Sequence, residues 1–295
     1  MPKQSKKTNK FILILFWATL ILFMFILRAR LEKPIFSPDS LDNPDLKDRN
    51  KYTEPLIMTG TSGIEVIMVH GIGATAWETK ALAEYLNSKN ITTYQVLLAG
   101  HDKSIYELER SSPEEWYNHL ESDYNSLDKP KKFIIGLSVG SLVSIELAEK
   151  KQLDGLILLS TPISFKNNLV KYTPLIQYFK RFYHREIEDE YRPFYYENFP
   201  LKTLSNMVSY IHYIKKIIPE VTSPVLIIQS KKDSRIDYTS ADYIYSSLGS
   251  EKKEILWLNS SAHVPITISS SETEEIKNER MMVFEEIYSF ISENS

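Results

Sequence analysis

Phe133-Ile134-Ile135-Gly136-Leu137-Ser138-Val139-Gly140-Ser141 runs straight into Leu142-Val143-Ser144-Ile145-Glu146-Leu147-Ala148. An apolar run short enough for a buried strand meets a Gly-x-Ser-x-Gly turn, and helical spacing begins directly after it. That order is the setting in which a strained turn lifts a serine hydroxyl out of the backbone. Residues two before and two after such a serine crowd each other, so Gly136 and Gly140 are expected to remove side chains that would clash. The helix starting at the serine aims backbone N–H groups and its positive dipole end at the same spot. Alone the motif is weak, because glycine and serine mark any loop. The strand before it and the helix after it give it content, against the competing reading of an ordinary glycine-bearing turn.

Outward from this stretch, the chain alternates strands and helices. Ile64 to Val69 is an apolar, β-branched strand ending in His70-Gly71-Ile72-Gly73, and Thr75 to Leu86 has helical spacing. Thr92 to Leu98 is the next strand. Ser112-Pro113-Glu114-Glu115 then starts a helix with a serine cap, a first-turn proline and two acids. Further apolar runs lie at Leu156–Ser160, Val225–Ser230 and Glu254–Leu258, and Glu274 to Ile291 forms a closing amphipathic helix. Near-continuous apolar strands alternating with helices imply an α/β fold, a mostly parallel, doubly wound sheet covered on both faces. Between Ile163 and Pro219 the rhythm breaks. No strand is expected there, only an aromatic-rich helical insertion over 163–219, placed to cap the serine. Such a cap suits an apolar substrate, although aromatics also serve simply to fix a cap to its body.

The 295 residues, 43% hydrophobic, are ample for a sizeable core, and the absence of cysteine excludes disulfides and thiol chemistry. Residues 1–10 form a basic flank with four lysines, and Phe11 to Leu27 is apolar except for Thr19. A span over 11–28 is long enough to cross a bilayer. A cleaved signal peptide favours a shorter core and a small-x-small site, for which Leu27-Arg28-Ala29-Arg30 is poorly suited. A single-pass membrane anchor is therefore expected. The flanking lysines slightly favour an extracytoplasmic catalytic domain, with Arg28, Arg30 and Lys33 pulling the other way. Residues 29–51, proline-bearing and aperiodic, read as a linker ahead of a globular domain over 52–295. Of 35 basic and 38 acidic residues, 10 and 5 lie up to Lys51, leaving 25 and 33 beyond it. An acidic domain on a basic stem makes nucleic acid an unsuitable partner.

A serine hydroxyl needs a base to take its proton, and the base needs a carboxylate to fix its tautomer. In a sheet of this kind the chain order is serine, acid, histidine. Of the later histidines, His212 sits within a helical pattern, whereas His263 lies in the loop after the last strand and is the expected base. The loop after Ser230 holds two acids. Asp233, nearer the strand end, is the choice, with Asp237 as the alternative. The oxyanion donors expected are the backbone N–H groups of Val139, directly after the serine, and Ile72, in the loop after the first core strand. His70 is expected to shape that loop by hydrogen bonding. His101, His119 and His184 have no partner pattern. No metal-ligand cluster stands out, and neither metal nor cofactor is expected.

Together these pieces resemble the α/β-hydrolase superfamily, and within it the bacterial carboxylesterase and monoacylglycerol lipase group. The likeness covers roughly Pro55 to the C-terminus. It rests on His70-Gly71-Ile72-Gly73, Leu98-Ala99-Gly100-His101, Trp116, Gly136-Leu137-Ser138-Val139-Gly140, Gln229-Ser230-Lys231-Lys232-Asp233 and Ser261-Ala262-His263-Val264. It implies Ser138, Asp233 and His263 as triad, Ile72 and Val139 as oxyanion donors, and ester hydrolysis, with monoacylglycerols or lysolipids as single-chain substrates. The chain departs from the usual pattern at Asp102, Ser141 and Ala262, where glycine is commoner. Two other activities use the same pieces: acyl transfer or amide hydrolysis, and binding by a non-enzymatic member of the fold.

Overall fold

The computed structural model describes residues 5–31, 54–101, 104–191 and 194–295. Most of the expected 29–51 linker, residues 1–4 of the basic flank and Asp102 lie outside the described residues. Helix α1 (Ser5–Leu31) contains Lys10–Leu27, a stretch long and apolar enough to cross a membrane, and most of the large apolar side chains of that stretch are exposed. A signal sequence near the N-terminus can also be this long and apolar. The one hydroxyl within it, on Thr19, donates to the Leu15 and Phe16 carbonyls of its own helix.

The remaining elements follow in chain order. They are β1 (Leu56–Met58), β2 (Ile64–Val69), α2 (Lys80–Ser88), β3 (Thr92–Val96), α3 (Ile105–Arg110) and α4 (Pro113–Ser126). Next come β4 (Lys131–Leu137), α5 (Val139–Lys150), β5 (Gly155–Leu159), the short α6 (Thr173–Ile176), β6 (Phe182–His184) and β7 (Asn198–Pro200). The chain closes with α7 (Leu201–Ile217), β8 (Val225–Ser230), α8 (Thr239–Ser247), β9 (Lys253–Leu258) and α9 (Glu274–Glu293). A single 3₁₀ turn at Ala76–Thr79 precedes α2, so only the second part of the expected 75–86 helix is α-helical.

Seven strands form one sheet in the order β1-β3-β2-β4-β5-β8-β9, all parallel except the edge strand β1. The pleat sends alternate residues to opposite faces. Ile67, Val69, Ile134, Leu156 and Leu158 pack against α4, α5 and α7. Val66, Met68, Phe133, Ile135 and Ile157 pack against α2 and α9. Both faces are thus apolar, which explains strands that read as nearly continuous hydrophobic runs. The serine cap and acids at 112–115 close as a full capping box: Ser112 Oγ accepts from the Glu115 N–H, and the Glu115 carboxylate accepts from the Ser112 N–H.

The insertion between β5 and β8 corrects one expectation. It is not wholly helical, because β6 and β7 pair as an antiparallel hairpin, Tyr183 opposite Phe199. Three-residue strands are too short to show a period of two, and their aromatic residues fit either state. Edge strand β1, likewise three residues long, was not anticipated. The long helix α7 ties the insertion to the body: Tyr210 O–H donates to Glu146 of α5 at 2.5 Å. Four parallel strands, β2, β4, β8 and β9, end at one edge of the sheet, where open α/β sheets collect ligands.

Candidate active site

Each expected residue lies just beyond the C-terminal end of a strand. Ser138 follows β4 with φ 53° and ψ −118°, a strained conformation for a residue with a Cβ. Its N–H donates to the Leu159 carbonyl at 2.8 Å, which fixes the turn from below. The two flanking glycines act on different neighbours. A Cβ on Gly136 would lie 2.5 Å from Ser141 Cα and 2.7 Å from the Gly140 carbonyl oxygen, the expected crowding across the turn. A Cβ on Gly140 would instead meet the Val69 and His70 carbonyl oxygens at 2.2 and 2.6 Å. Gly140 therefore lets α5 approach the end of β2. Ser141, where glycine is commoner, bonds the turn: its hydroxyl lies 2.6 Å from the Gly136 carbonyl and 3.1 Å from that of Leu159.

His263, in the loop after β9, places Nε2 3.2 Å from Ser138 Oγ and Nδ1 2.8 Å from Asp233 Oδ2. All three side chains are buried. Asp233 accepts the Arg235 and Ile236 N–H groups on its other oxygen, Oδ1, at 2.8 and 2.9 Å. Burial pushes its carboxyl upward, but the His263 hydrogen bond and those backbone donors outweigh it and hold it below the usual range. It is therefore an anion near neutral pH, positioned to favour the His263 tautomer with a proton on Nδ1. In that tautomer Nε2 is free to take the serine proton. Asp237 goes elsewhere, accepting the Thr239 N–H and hydroxyl at the start of α8.

Val139 is the first residue of α5, so its N–H is one of those a helix leaves without an intrahelical partner. The Ile72 N–H belongs to the peptide whose carbonyl is that of Gly71. That carbonyl accepts His70 Nδ1–H at 2.7 Å and the Ala74 N–H at 3.3 Å. In a trans peptide the N–H points opposite the C=O, so holding the oxygen aims the donor. His70 Nε2 accepts the Leu98 N–H at 3.1 Å, which makes this buried ring the loop-shaping group expected of it.

His101 and His119 contact the Ala99 and Leu97 carbonyls, His184 contacts Asn198, and His212 donates to Val208 within α7. Among the described residues no group of three or more histidine, aspartate or glutamate side chains is placed to hold a metal ion.

Two carboxylates at the site were not expected. Glu78 accepts the Gly71 N–H on Oε2 at 2.6 Å and the Tyr195 hydroxyl on Oε1 at 2.7 Å. Glu279 of α9 accepts the Asn259, Ser260 and Ser261 N–H groups, the stretch leading to His263. Neither has a sequence signature, since an acid in a helical stretch ordinarily faces water.

The family model described as Serine aminopeptidase, S33 matches residues 62–189. The chain is 26% identical over 235 residues to a carboxylesterase of Bacillus subtilis (strain 168), covering 77% of this chain and 91% of that one. It is 25% identical over 207 residues to a thermostable monoacylglycerol lipase of Bacillus sp. (strain H-257), covering 68% and 83%. Among solved structures, a metagenome-derived lipolytic enzyme from a study of LipS and LipT superposes with a TM-score of 0.72. The two share 22% identity, over 82% of this chain and 98% of that one. The monoacylglycerol lipase of Paleococcus ferrophilus gives 0.67 at 18% identity, over 80% and 98%. The sheet order, the strained serine turn, the family match and these relatives agree, and the chain is a serine hydrolase of the α/β-hydrolase superfamily.

Proposed function

We propose that the chain hydrolyses carboxylic esters through an acyl-enzyme on Ser138, with His263 as base and Asp233 as its orienting acid. The relatives named carboxylesterase and monoacylglycerol lipase support the substrate class. The observation that carries the mechanism is the hydrogen-bonded line from Asp233 through His263 to Ser138. His263 Nε2 takes the Ser138 proton as Oγ attacks the ester carbonyl carbon. The negative charge on the carbonyl oxygen is received by the Ile72 and Val139 N–H groups. Collapse of that intermediate breaks the bond to the alcohol, which leaves with the proton from His263. Water then repeats the sequence on the acyl-serine, releasing the acid and restoring Ser138.

The substrate is a single-chain acyl ester such as a monoacylglycerol or lysolipid, and helix α1 anchors the enzyme at the membrane where such molecules partition. The exposed apolar stretch Lys10–Leu27 supports the anchor. The excess of lysines ahead of it supports an extracytoplasmic catalytic domain. A fluorophosphonate tests the mechanism. Intact-mass analysis should show one adduct, mapped to Ser138, and Ser138→Ala should show none. Labelling at another serine overturns the assignment.

The description of the matched family favours a second reading, cleavage of an N-terminal peptide bond by the same triad. Aminoacyl p-nitroanilides and acyl p-nitrophenyl esters separate the two: faster turnover of the anilides selects the peptidase.

A further inference from the structure

Glu78 joins three pieces of the molecule at one point. Its carboxyl accepts the Gly71 N–H, in the loop that carries Ile72, and the hydroxyl of Tyr195, in the insertion. Its own carbonyl accepts the Thr267 hydroxyl at 3.1 Å, in the segment after His263. The neighbouring Trp77 stacks flat on Phe194, centroids 3.9 Å apart and planes 4° apart. Arg185 supports the Tyr195 side of the contact. Its Nε donates to the Tyr196 carbonyl at 2.7 Å, and its guanidinium lies over the Tyr195 and Phe199 rings. Glu78 is itself buried, and a Cβ on Gly71 would lie 3.0 Å from its Oε2 and 3.4 Å from Ser138 Cβ. Only a glycine separates this carboxyl from the serine.

The peptide before Gly71 is thus gripped by Glu78, and the peptide after it by His70 and Ala74. Between them the direction of the Ile72 N–H is set. We propose that Glu78 is a positioning residue for the oxyanion loop, holding the Gly71 N–H and linking it through Tyr195 to the insertion, so that the seat of the cap determines the aim of the Ile72 donor. The inference rests on the reading of Ser138 as nucleophile and Ile72 as oxyanion donor. It needs hydrogen bonding and not charge. Burial raises the Glu78 carboxyl above its ordinary range, opposed by Gly71, Tyr195, His263 and Arg235.

Glu78→Gln, Glu78→Leu and Tyr195→Phe test it in the full-length protein in detergent micelles. Each is assayed on a p-nitrophenyl ester for kcat and KM, and for affinity to an alkyl trifluoromethyl ketone, whose serine adduct places a negative oxygen in the hole. Glutamine can offer its carbonyl oxygen to Gly71 and its amide to Tyr195, rebuilding both contacts, so kcat stays within about fivefold of wild type. Leucine rebuilds neither. Its kcat should fall about 30-fold or more with KM within about threefold, and ketone affinity should fall in parallel. Tyr195→Phe keeps the Gly71 contact and should lose several-fold in kcat. A folded leucine variant with kcat within threefold of wild type overturns the inference, as does a glutamine variant as damaged as leucine. If the leucine variant does not fold, Tyr195→Phe with unchanged kcat overturns it. Ser138→Ala keeps the two levels apart: turnover near that of wild type there sinks the nucleophile reading, whereas a Ser138→Ala reduced by several orders of magnitude beside an unaffected Glu78→Leu sinks only the role of Glu78.

Discussion

Glu279 Oε2 accepts the backbone N–H of Ser261 at 2.6 Å, two residues before His263 in the chain. The same carboxylate accepts the Asn259 and Ser260 N–H groups at 2.6 and 3.1 Å. Three consecutive donors on one anion fix the loop that delivers the imidazole, and α9 carries the anion. Burial pushes the Glu279 carboxyl up, but these hydrogen bonds outweigh it and hold it below the usual carboxylate range. A carboxyl with a depressed folded-state value contributes stability that is complete above its unfolded value and lost as pH falls through the folded one. Glu279→Gln should therefore lower Tm most above about pH 5, with the gap closing below about pH 4. A gap independent of pH would deny the ionised carboxylate this role.

The two candidate acids can be ranked by amide substitution. In Asp233→Asn the oxygen stays with the Arg235 and Ile236 N–H groups, so the amide NH₂ turns toward His263 Nδ1. The ring is then driven to the tautomer protonated on Nε2, which cannot accept the serine proton. Turnover should fall by about 10⁴. Asp237→Asn, which disturbs only the contact with Thr239, should stay within about threefold. Steady-state kcat for both variants checks this, and the reverse ranking moves the orienting role to Asp237.

Ser141→Ala removes the hydroxyl that lies 2.6 Å from the Gly136 carbonyl and 3.1 Å from the Leu159 carbonyl, beneath the strained serine. Leaving buried acceptors with one partner fewer should cost about 1–3 kcal/mol. For a domain of this size that is a drop in Tm of several degrees. Differential scanning calorimetry on the alanine variant measures it. An unchanged Tm would mean that the turn does not depend on this hydroxyl.

Much of this arrangement could be read in the chain before its structure. Strands at 64–69 and 225–230 have the observed limits, because each is a mostly apolar, buried run between loop-forming residues, Gly63 and His70-Gly71 for the first, Pro224 and Lys231 for the second. Ser138, Asp233 and His263, which the structure brings into one hydrogen-bonded line through His263, each stand at a station after a strand end, a property of local order. What could not be read depends on closure. Glu78 meets Tyr195 across 117 residues and Glu279 meets Ser261 across 18, and neither acid differs locally from a solvated helix residue. The hairpin of β6 and β7 was invisible for another reason. Three residues give one alternation, and pairing with a distant partner, not propensity, makes them strands.

The insertion bears on which esters are preferred. Phe199 lies against the loop carrying Ile72, close enough that a Cβ on Gly73 would meet its ring at 2.6 Å. Trp77, in the 3₁₀ turn that follows this loop in the chain, stacks on Phe194 of the insertion. On the proposal that the substrate is a single-chain ester, an acyl chain running to this side of the oxyanion loop would lie against these aromatics, and each methylene taken from water would contribute up to about 0.8 kcal/mol. That is about fourfold in kcat/KM per carbon at full burial. Efficiency on p-nitrophenyl esters should rise with acyl length until the surface is filled, then level or fall. Matched monoacylglycerols should follow the same order. The full-length protein in mixed micelles, assayed from acetyl upward with ester concentration expressed per micelle volume, checks this. A maximum at acetyl with a steady decline would mean that the aromatics serve only to seat the cap, and that the enzyme is a short-chain esterase.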